Sequence, residues 1–263
     1  MIKTTHFIRN AFGGTVAAAA AFGLAGATAN AQFLSNGNFE ASGEPFQSWS
    51  TNAGVSLAAQ PISGDFSARI ALNSGNTGNA LNQTLNDLGN QLSQYSLSLD
   101  FAASNPGGTS SRAMQLNLRT TPGVDSGNIN LRVVNGTVEG FGNIEVNHGS
   151  WSVALENVVK FSTSETGAGF NLNSLSITGD YTATPFYTIT VNGDTSANLS
   201  WFQGSAPASG SSLQQISFQS GNLAAGAWSV VDNVSMAAVP EPTTLALLSL
   251  GLIGFAARRR RKN

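Results

Sequence analysis

The sequence has no cysteine and only two histidines, and these absences restrict its chemistry. Without cysteine the chain has no disulfide, no thiolate nucleophile and no cysteine-bound zinc. His6 lies close to the N-terminus, so His148 is the only histidine of the remaining chain. A serine triad would have to use His148, but the surrounding sequence NHGS is typical of a turn and has no nucleophile-elbow pattern. No glycine-rich phosphate-binding loop is present either.

Charged residues are also scarce, at 10% of the chain, and most basic residues lie at its two ends. Residues 32–239 contain five basic and thirteen acidic residues, a net charge of −8 against −2 for the whole chain. Such a surface repels nucleic acid, and it repels anionic polysaccharide unless cations bridge the two. The hydrophobic content of 41% is nevertheless too high for disorder. These 208 residues are enough for one domain with a full core.

The first 31 residues have the organisation of a secretory signal peptide. Lys3 and Arg9 precede an apolar, alanine-rich stretch at residues 11–27, and Ala29-Asn30-Ala31 forms a small-residue site before Gln32. This pattern predicts a signal helix, cleavage between Ala31 and Gln32, and export of the body that follows.

The last 24 residues have three parts: Pro240, Glu241 and Pro242, then an apolar segment, then Arg258, Arg259, Arg260, Arg261 and Lys262. The two prolines interrupt regular structure and predict an extended, accessible joint. Residues 245–257 carry no charge and predict a hydrophobic helix of about 20 Å, against about 30 Å for a bilayer core. We therefore expect transient membrane insertion, with the arginine cluster as a cytoplasmic stop. An ordinary C-terminal anchor helix is the alternative.

This three-part end resembles the PEP-CTERM sorting signal of Gram-negative bacteria. The resemblance rests on residues 239–243 (VPEPT), the Leu/Gly/Ala-rich segment and the arginine-rich terminus, and it assigns residues 240–263 to the signal. It implies that an exosortase, a membrane enzyme, recognises the motif and removes the tail. It also implies a destination in the cell envelope, at the cell surface or in the extracellular matrix.

Apolar residues of the body alternate with polar ones, which predicts strands with one buried face. Turn signals such as Asn135-Gly136 and Asn192-Gly193 separate the alternating runs. We expect an all-β, antiparallel two-sheet sandwich over residues 32–239, a jelly roll of about a dozen strands. A β-solenoid is the alternative, but no fixed-period repeat appears. The alternating runs are Leu97/Leu99/Phe101, Met114/Leu116/Leu118, Ile129/Leu131/Val133, Trp151/Val153/Leu155, Leu175/Ile177, Tyr187/Ile189/Val191, Ile216/Phe218 and Trp228/Val230.

The two ends of the body carry a second resemblance. Residues 33–40 (FLSNGNFE), followed by Trp49, resemble the opening of carbohydrate-binding jelly-roll modules, and residues 228–235 (WSVVDNVS) resemble their closing strand. Similar endings occur in concanavalin-like lectin sandwiches. In such modules the first and last strands often lie close together and share a structural calcium ion, which takes six to eight oxygen ligands. The matching positions are Glu40 and Asp232; otherwise both are ordinary surface or turn carboxylates, and no cofactor is required.

Tryptophan side chains can stack on sugar rings, and four are available. Trp151 and Trp228 fall in step with buried alternations, which favours the core for both. Trp201 precedes the loop at residues 204–212 and is the best candidate for an exposed sugar platform.

Glycosidases need only two suitably spaced carboxylates. Asp100 and Glu156 lie in strand-like segments and could face a cleft, but the compact Glu-x-Asp-x-x-Glu strand of concanavalin-like glycosidases is absent. The sequence therefore predicts a non-enzymatic exported protein of the surface or matrix, associated with exopolysaccharide or biofilm. A carbohydrate-binding module is the alternative, and a glycoside hydrolase is the third class.

Overall fold

The computed structural model describes residues 33–52, 54–71, 79–85, 94–107, 112–119, 128–180, 186–199, 213–219 and 227–238. The chain divides between Ala31 and Gln32 into two compact units, and all described residues belong to the second. No helix among them is long and apolar enough to span a membrane. The following predicted features lie outside the described residues: the signal helix, the Ala31/Gln32 cleavage site, the hydrophobic C-terminal helix, Trp201, Pro240, Glu241, Pro242, Arg258, Arg259, Arg260 and Arg261.

The described residues form fourteen β-strands and one short 3-10 turn at Gly167–Gly169. The predicted all-β class is confirmed. The strands are β1 Ser50–Thr51, β2 Val55–Leu57, β3 Ala68–Ala71, β4 Asn79–Thr84, β5 Gln94–Ala103, β6 Arg112–Arg119, β7 Ile129–Asn135, β8 Phe141–Asn147, β9 Trp151–Lys160, β10 Asn173–Asp180, β11 Phe186–Val191, β12 Asp194–Thr195, β13 Gln215–Gln219 and β14 Trp228–Ala238.

The strands form two seven-stranded sheets, and every pairing between neighbouring strands is antiparallel. The first sheet has the order β1-β4-β13-β6-β7-β8-β9, and the second has the order β12-β11-β10-β5-β14-β3-β2. Late strands are inserted between early ones, since β13 lies between β4 and β6 and β14 lies between β5 and β3. The predicted antiparallel two-sheet sandwich is confirmed.

The inner faces of both sheets contribute to one continuous apolar core. In β5, for example, Leu97, Leu99 and Phe101 are at most 2% exposed, whereas the intervening Ser98 faces solvent. The predicted alternations are buried in this way except in β9 and β14. In β9, Val153 is 44% exposed, and the predicted pair of β14 belongs to a separate apolar cluster. Because β9 is an edge strand with two register shifts against β8, its alternation does not lead into the core.

A second, smaller apolar cluster lies on the outer side of the second sheet and contains Trp228. Phe170 stacks on the Trp228 ring, with centroids 6.4 Å apart and planes 3° from parallel. The segment that carries Phe170 is fastened by an ion pair of 2.6 Å between Arg69 and Glu165. Trp228 is thus buried, as the alternation indicated, but under a surface segment rather than between the sheets.

Candidate functional site

The opening motif of the body forms a compact hydrogen-bonded turn. Asn36 has a positive φ of 51°, and its side chain accepts from the N–H of Ala41 at 3.0 Å and donates to the carbonyl of Pro45 at 2.7 Å. The indole N–H of Trp49 donates to the Asn36 carbonyl at 3.0 Å, and the Trp49 ring lies 5.4 Å from the buried ring of Phe39. These residues fold the first segment against the core, so the motif has a structural role.

Gly37 joins this turn to the last strand. The N–H of Val234 donates to the Gly37 carbonyl at 2.9 Å, at a point where Asn233 has a positive φ of 51° and the β14–β5 register shifts. A Cβ atom at position 37 would lie only 1.8 Å from the Val234 carbonyl oxygen. Glycine is therefore required here, and the first and last segments adjoin as the resemblance implied.

Glu40 and Asp232 bind the same loop, at residues 62–67. One carboxylate oxygen of Glu40 accepts from two successive N–H groups of this loop, at 2.8 and 2.9 Å. Asp232 is fully buried, and its Oδ2 accepts from the N–H of Ser63 at 3.1 Å, the Ser63 hydroxyl at 3.0 Å and the Ser67 hydroxyl at 2.8 Å. We call Glu40, Asp232 and residues 62–67 the terminal clasp, because they hold the first and last segments together.

The groups that surround Glu40 and Asp232 are N–H and hydroxyl hydrogen-bond donors, and this arrangement does not suit a calcium ion shared by the two carboxylates. Calcium needs six to eight oxygen ligands, whereas the second oxygen of Asp232 also accepts an N–H, that of Asn233, at 2.7 Å. Within the described ranges, no group of three or more acidic or histidine side chains could hold a metal. Burial raises the pKa of Asp232, and hydrogen bonds from Ser67, Asn233 and Ser63 offset part of that rise. An effect of calcium stays a prediction to be tested.

A cavity of about 340 Å³ opens on the outer face of the second sheet. Asp100 lies in this cavity and accepts a hydrogen bond of 2.9 Å from the Asn233 amide. Glu156, the other carboxylate suggested by the sequence, is exposed on the edge strand β9 and does not line the cavity. The two are therefore not brought together. The cavity is lined by Ser98, Leu99, Asp100, Ser174, Leu175, Ser176, Thr190 and Asn233.

The outer face of the first sheet presents a grid of polar side chains over its three central strands. Strand register places Gln115 between Gln219 and Arg132, and it places Asn117 between Ser217 and Asn130. We call this grid the amide face. Its members are Arg112, Gln115, Asn117 and Arg119 on β6, Gln215, Ser217 and Gln219 on β13, and Asn130 and Arg132 on β7.

Trp151 borders the amide face rather than the core. The Arg132 guanidinium lies 4.2 Å from the centroid of the Trp151 ring, in a cation–π contact. The same guanidinium forms an ion pair with Glu145, with two nitrogens 2.6 and 2.7 Å from one carboxylate oxygen. The alternation in β9 predicted a core tryptophan, but it could not show that β9 would be an edge strand. No pattern in the sequence singled out the amide face.

The fold and the C-terminus together define a class, an exported β-sandwich carrying a C-terminal sorting signal. Residues 238–261 match the PEP-CTERM protein-sorting motif, which confirms the resemblance at the C-terminus. This motif indicates a protein that is exported, sorted to the envelope and processed by an exosortase. No curated protein matches the sequence of the chain.

Solved structures share the fold of the body at low sequence identity. The carbohydrate esterase vb_24B_21 from Shiga toxin-encoding bacteriophage phi24B matches with a TM-score of 0.55 at 12% identity, covering 80% of this chain and 100% of that one. The Emp47p carbohydrate recognition domain has a TM-score of 0.48 at 11% identity, with coverage of 80% and 98%. Alginate lyase vAL-1 from Chlorella virus has a TM-score of 0.47 at 11% identity, with coverage of 73% and 94%. At such identities, the likeness to the esterase shows the fold alone.

Proposed function

We propose that this chain is a non-enzymatic protein of the cell surface or extracellular matrix, associated with exopolysaccharide in a biofilm. The observation that carries the proposal is the position of the sorting motif. The match begins at residue 238, and the last strand of the sandwich ends at Ala238. The sandwich is therefore the body that the signal delivers, with no further segment between them.

Several carboxylates of the body already have hydrogen-bond or ion-pair partners, and this supports a non-enzymatic role. Glycosidases use two accessible carboxyl groups that flank the substrate bond. Asp232 has a raised pKa, but its side chain is fully buried and accepts hydrogen bonds from the clasp loop. Glu145 and Glu165 are held in ion pairs with arginines, and Asp100 is bound by Asn233. These carboxylates have structural partners, which favours binding or scaffolding over hydrolysis.

Fractionation of cells with and without an active exosortase tests the proposal. We expect the processed protein in the surface or matrix fraction, with a mature form that begins at Gln32 and lacks residues 258–263 by mass spectrometry. Release of the protein when the polysaccharide is degraded would support the association. A mature protein that retains its arginine cluster would contradict exosortase processing and indicate a permanent anchor.

A second candidate function, a carbohydrate-binding module, is favoured by the amide face. Asparagine, glutamine and arginine side chains supply the hydrogen-bond donors and acceptors that sugar hydroxyls require. Screening the exported protein on a glycan array separates the candidates. Binding to one defined glycan class favours the module, and an array without signal favours a purely structural component. Release of reducing sugar would instead indicate a glycoside hydrolase.

A further inference from the structure

The amide face contains a directed chain of hydrogen bonds along β6. Arg112 donates to the side-chain oxygen of Gln115, and the Gln115 amide nitrogen donates to the Asn117 oxygen at 2.9 Å. An arginine can only donate, so Arg112 fixes the orientation of the Gln115 amide, which in turn fixes that of Asn117. The chain therefore ends in the amide N–H₂ group of Asn117.

The end of this chain has no acceptor. Asn117 is 1% exposed, and its amide nitrogen has no hydrogen-bond partner. A buried donor without a partner costs about 1–3 kcal/mol, so such a group calls for an explanation. Arg119 lies two residues further along the same face of β6, roughly 7 Å away. Its guanidinium forms no ion pair with any of the described residues.

Gln215, the register partner of Arg119 on β13, needs a hydrogen-bond donor rather than an acceptor. Gln215 pairs with Arg119 across the two strands, and its side-chain oxygen is buried without a hydrogen-bond donor. A ligand that satisfies all three groups must present an acceptor to Asn117 and Arg119 and a hydroxyl donor to Gln215. A sugar that carries both a carboxylate and hydroxyl groups meets this requirement.

The charge of the amide face also favours a carboxylate. Three of the five basic residues in residues 32–239, namely Arg112, Arg119 and Arg132, lie on this face, although the body as a whole carries −8. Burial, and to a smaller extent the nearby Arg132, lowers the pKa of Arg112. Glu145 neutralises Arg132 in its ion pair, whereas Arg119 has no such partner among the described residues. More distant acidic residues are screened beyond about 8–10 Å at physiological salt, so a ligand at Arg119 meets a local positive charge.

We propose that the amide face binds an acidic polysaccharide, with Arg119 and Asn117 holding a uronate carboxylate and Gln215 accepting a hydrogen bond from an adjacent hydroxyl. This inference rests on the proposed association with exopolysaccharide and names its chemical class. Arginine suits the role because its planar fork can hold both carboxylate oxygens.

Binding of the exported protein to polygalacturonate tests the inference, with fully methyl-esterified polygalacturonate as a probe that has the same backbone but no carboxylates. We expect preferential binding to the acidic form, and weaker binding at high salt. Arg119→Gln should reduce affinity about tenfold or more, since a charge-assisted hydrogen bond contributes about 1.5–3 kcal/mol. Arg119→Lys should recover part of the loss.

Lys160→Gln is the matched control, because it removes the same charge from the exposed edge strand β9. It should change affinity less than twofold. Equal binding of the esterified form, or equal losses in both variants, would overturn the acidic-ligand inference and leave the proposed polysaccharide association intact. Binding to no polysaccharide on the array, acidic or neutral, would overturn the inference together with the carbohydrate-binding module. The proposed surface or matrix role would then rest on the fractionation experiment.

Discussion

Replacing Asp232 with alanine tests the terminal clasp most directly. The substitution removes the shared acceptor of the Ser67 hydroxyl and of the N–H and hydroxyl of Ser63. Ser67 is fully buried, so water cannot replace the lost partner. Each buried donor left without a partner costs about 1–3 kcal/mol. Ser63 is half-buried, and its hydroxyl also lies 3.1 Å from the side-chain oxygen of Asn233, which can accept in place of Asp232. We therefore expect a total loss of about 3 kcal/mol.

In a domain of this size, a loss of that magnitude lowers the melting temperature by about 6–12 °C. Circular dichroism melts of the exported protein measure the change. Asp100→Ala is the matched control, since Asp100 is the register partner of Asp232 on β5 but has only the bond from Asn233. We expect that control to cost less than about 1 kcal/mol. Equal shifts in the two variants would refute the clasp.

The same melts, repeated in calcium and in EDTA, separate hydrogen bonding from metal binding. A clasp made of hydrogen bonds predicts equal melting temperatures in the two conditions. Calcium at a hundred times its dissociation constant would instead add about 2.7 kcal/mol, or roughly 5–11 °C. A calcium-dependent gain that disappears in Asp232→Ala would show that a metal ion holds the two ends together.

Three further predictions concern pH, packing and folding. Because burial raises the folded-state pKa of Asp232 above the unfolded value of about 3.9, its contribution to stability is full below about pH 3.9 and falls as pH rises through the raised pKa. Asp232→Asn should lack this fall in stability with pH. Parallel curves of unfolding free energy against pH for the natural protein and this variant would contradict the prediction. Gly37→Ala should cost at least about 3 kcal/mol because its Cβ would meet backbone, whereas Asn38→Ala at an exposed neighbour should be near neutral in urea unfolding. Residues 32–239 alone should give a soluble monomer with a β-type spectrum and a cooperative melt; a helical spectrum would contradict this.

Export and sorting could be predicted from the sequence because such signals are linear. The small-residue site before Gln32 and the order of Pro240, the apolar segment and Arg258 are properties of consecutive residues. The PEP-CTERM match at residues 238–261 bears out the second of these signals. The all-β class was predictable for a related reason, since alternation in a strand is a local consequence of its two-residue period.

The alternation of apolar and polar residues within one strand does not show which distant strands pair with it. Alternation in residues 215–219 shows that Ile216 and Phe218 share a face, but not that β13 lies between β4 and β6. Trp151 and Trp228 show the same limit. Both are in step with alternating runs, yet one lies beside Arg132 on an outer face and the other beneath Phe170.

The sequence by itself determined that the chain carries a signal for export and envelope sorting, which class of fold it adopts and which residues of each strand share a face. Only the tertiary structure decided which faces are inside, that Asp232 is buried in the terminal clasp, and that Asn117, Arg119 and Gln215 share one face of neighbouring strands. The physical reason is that a strand has two faces with equivalent backbone geometry. The residues that bury one face come from the opposite sheet, and they lie far away in the chain from the strand that they cover.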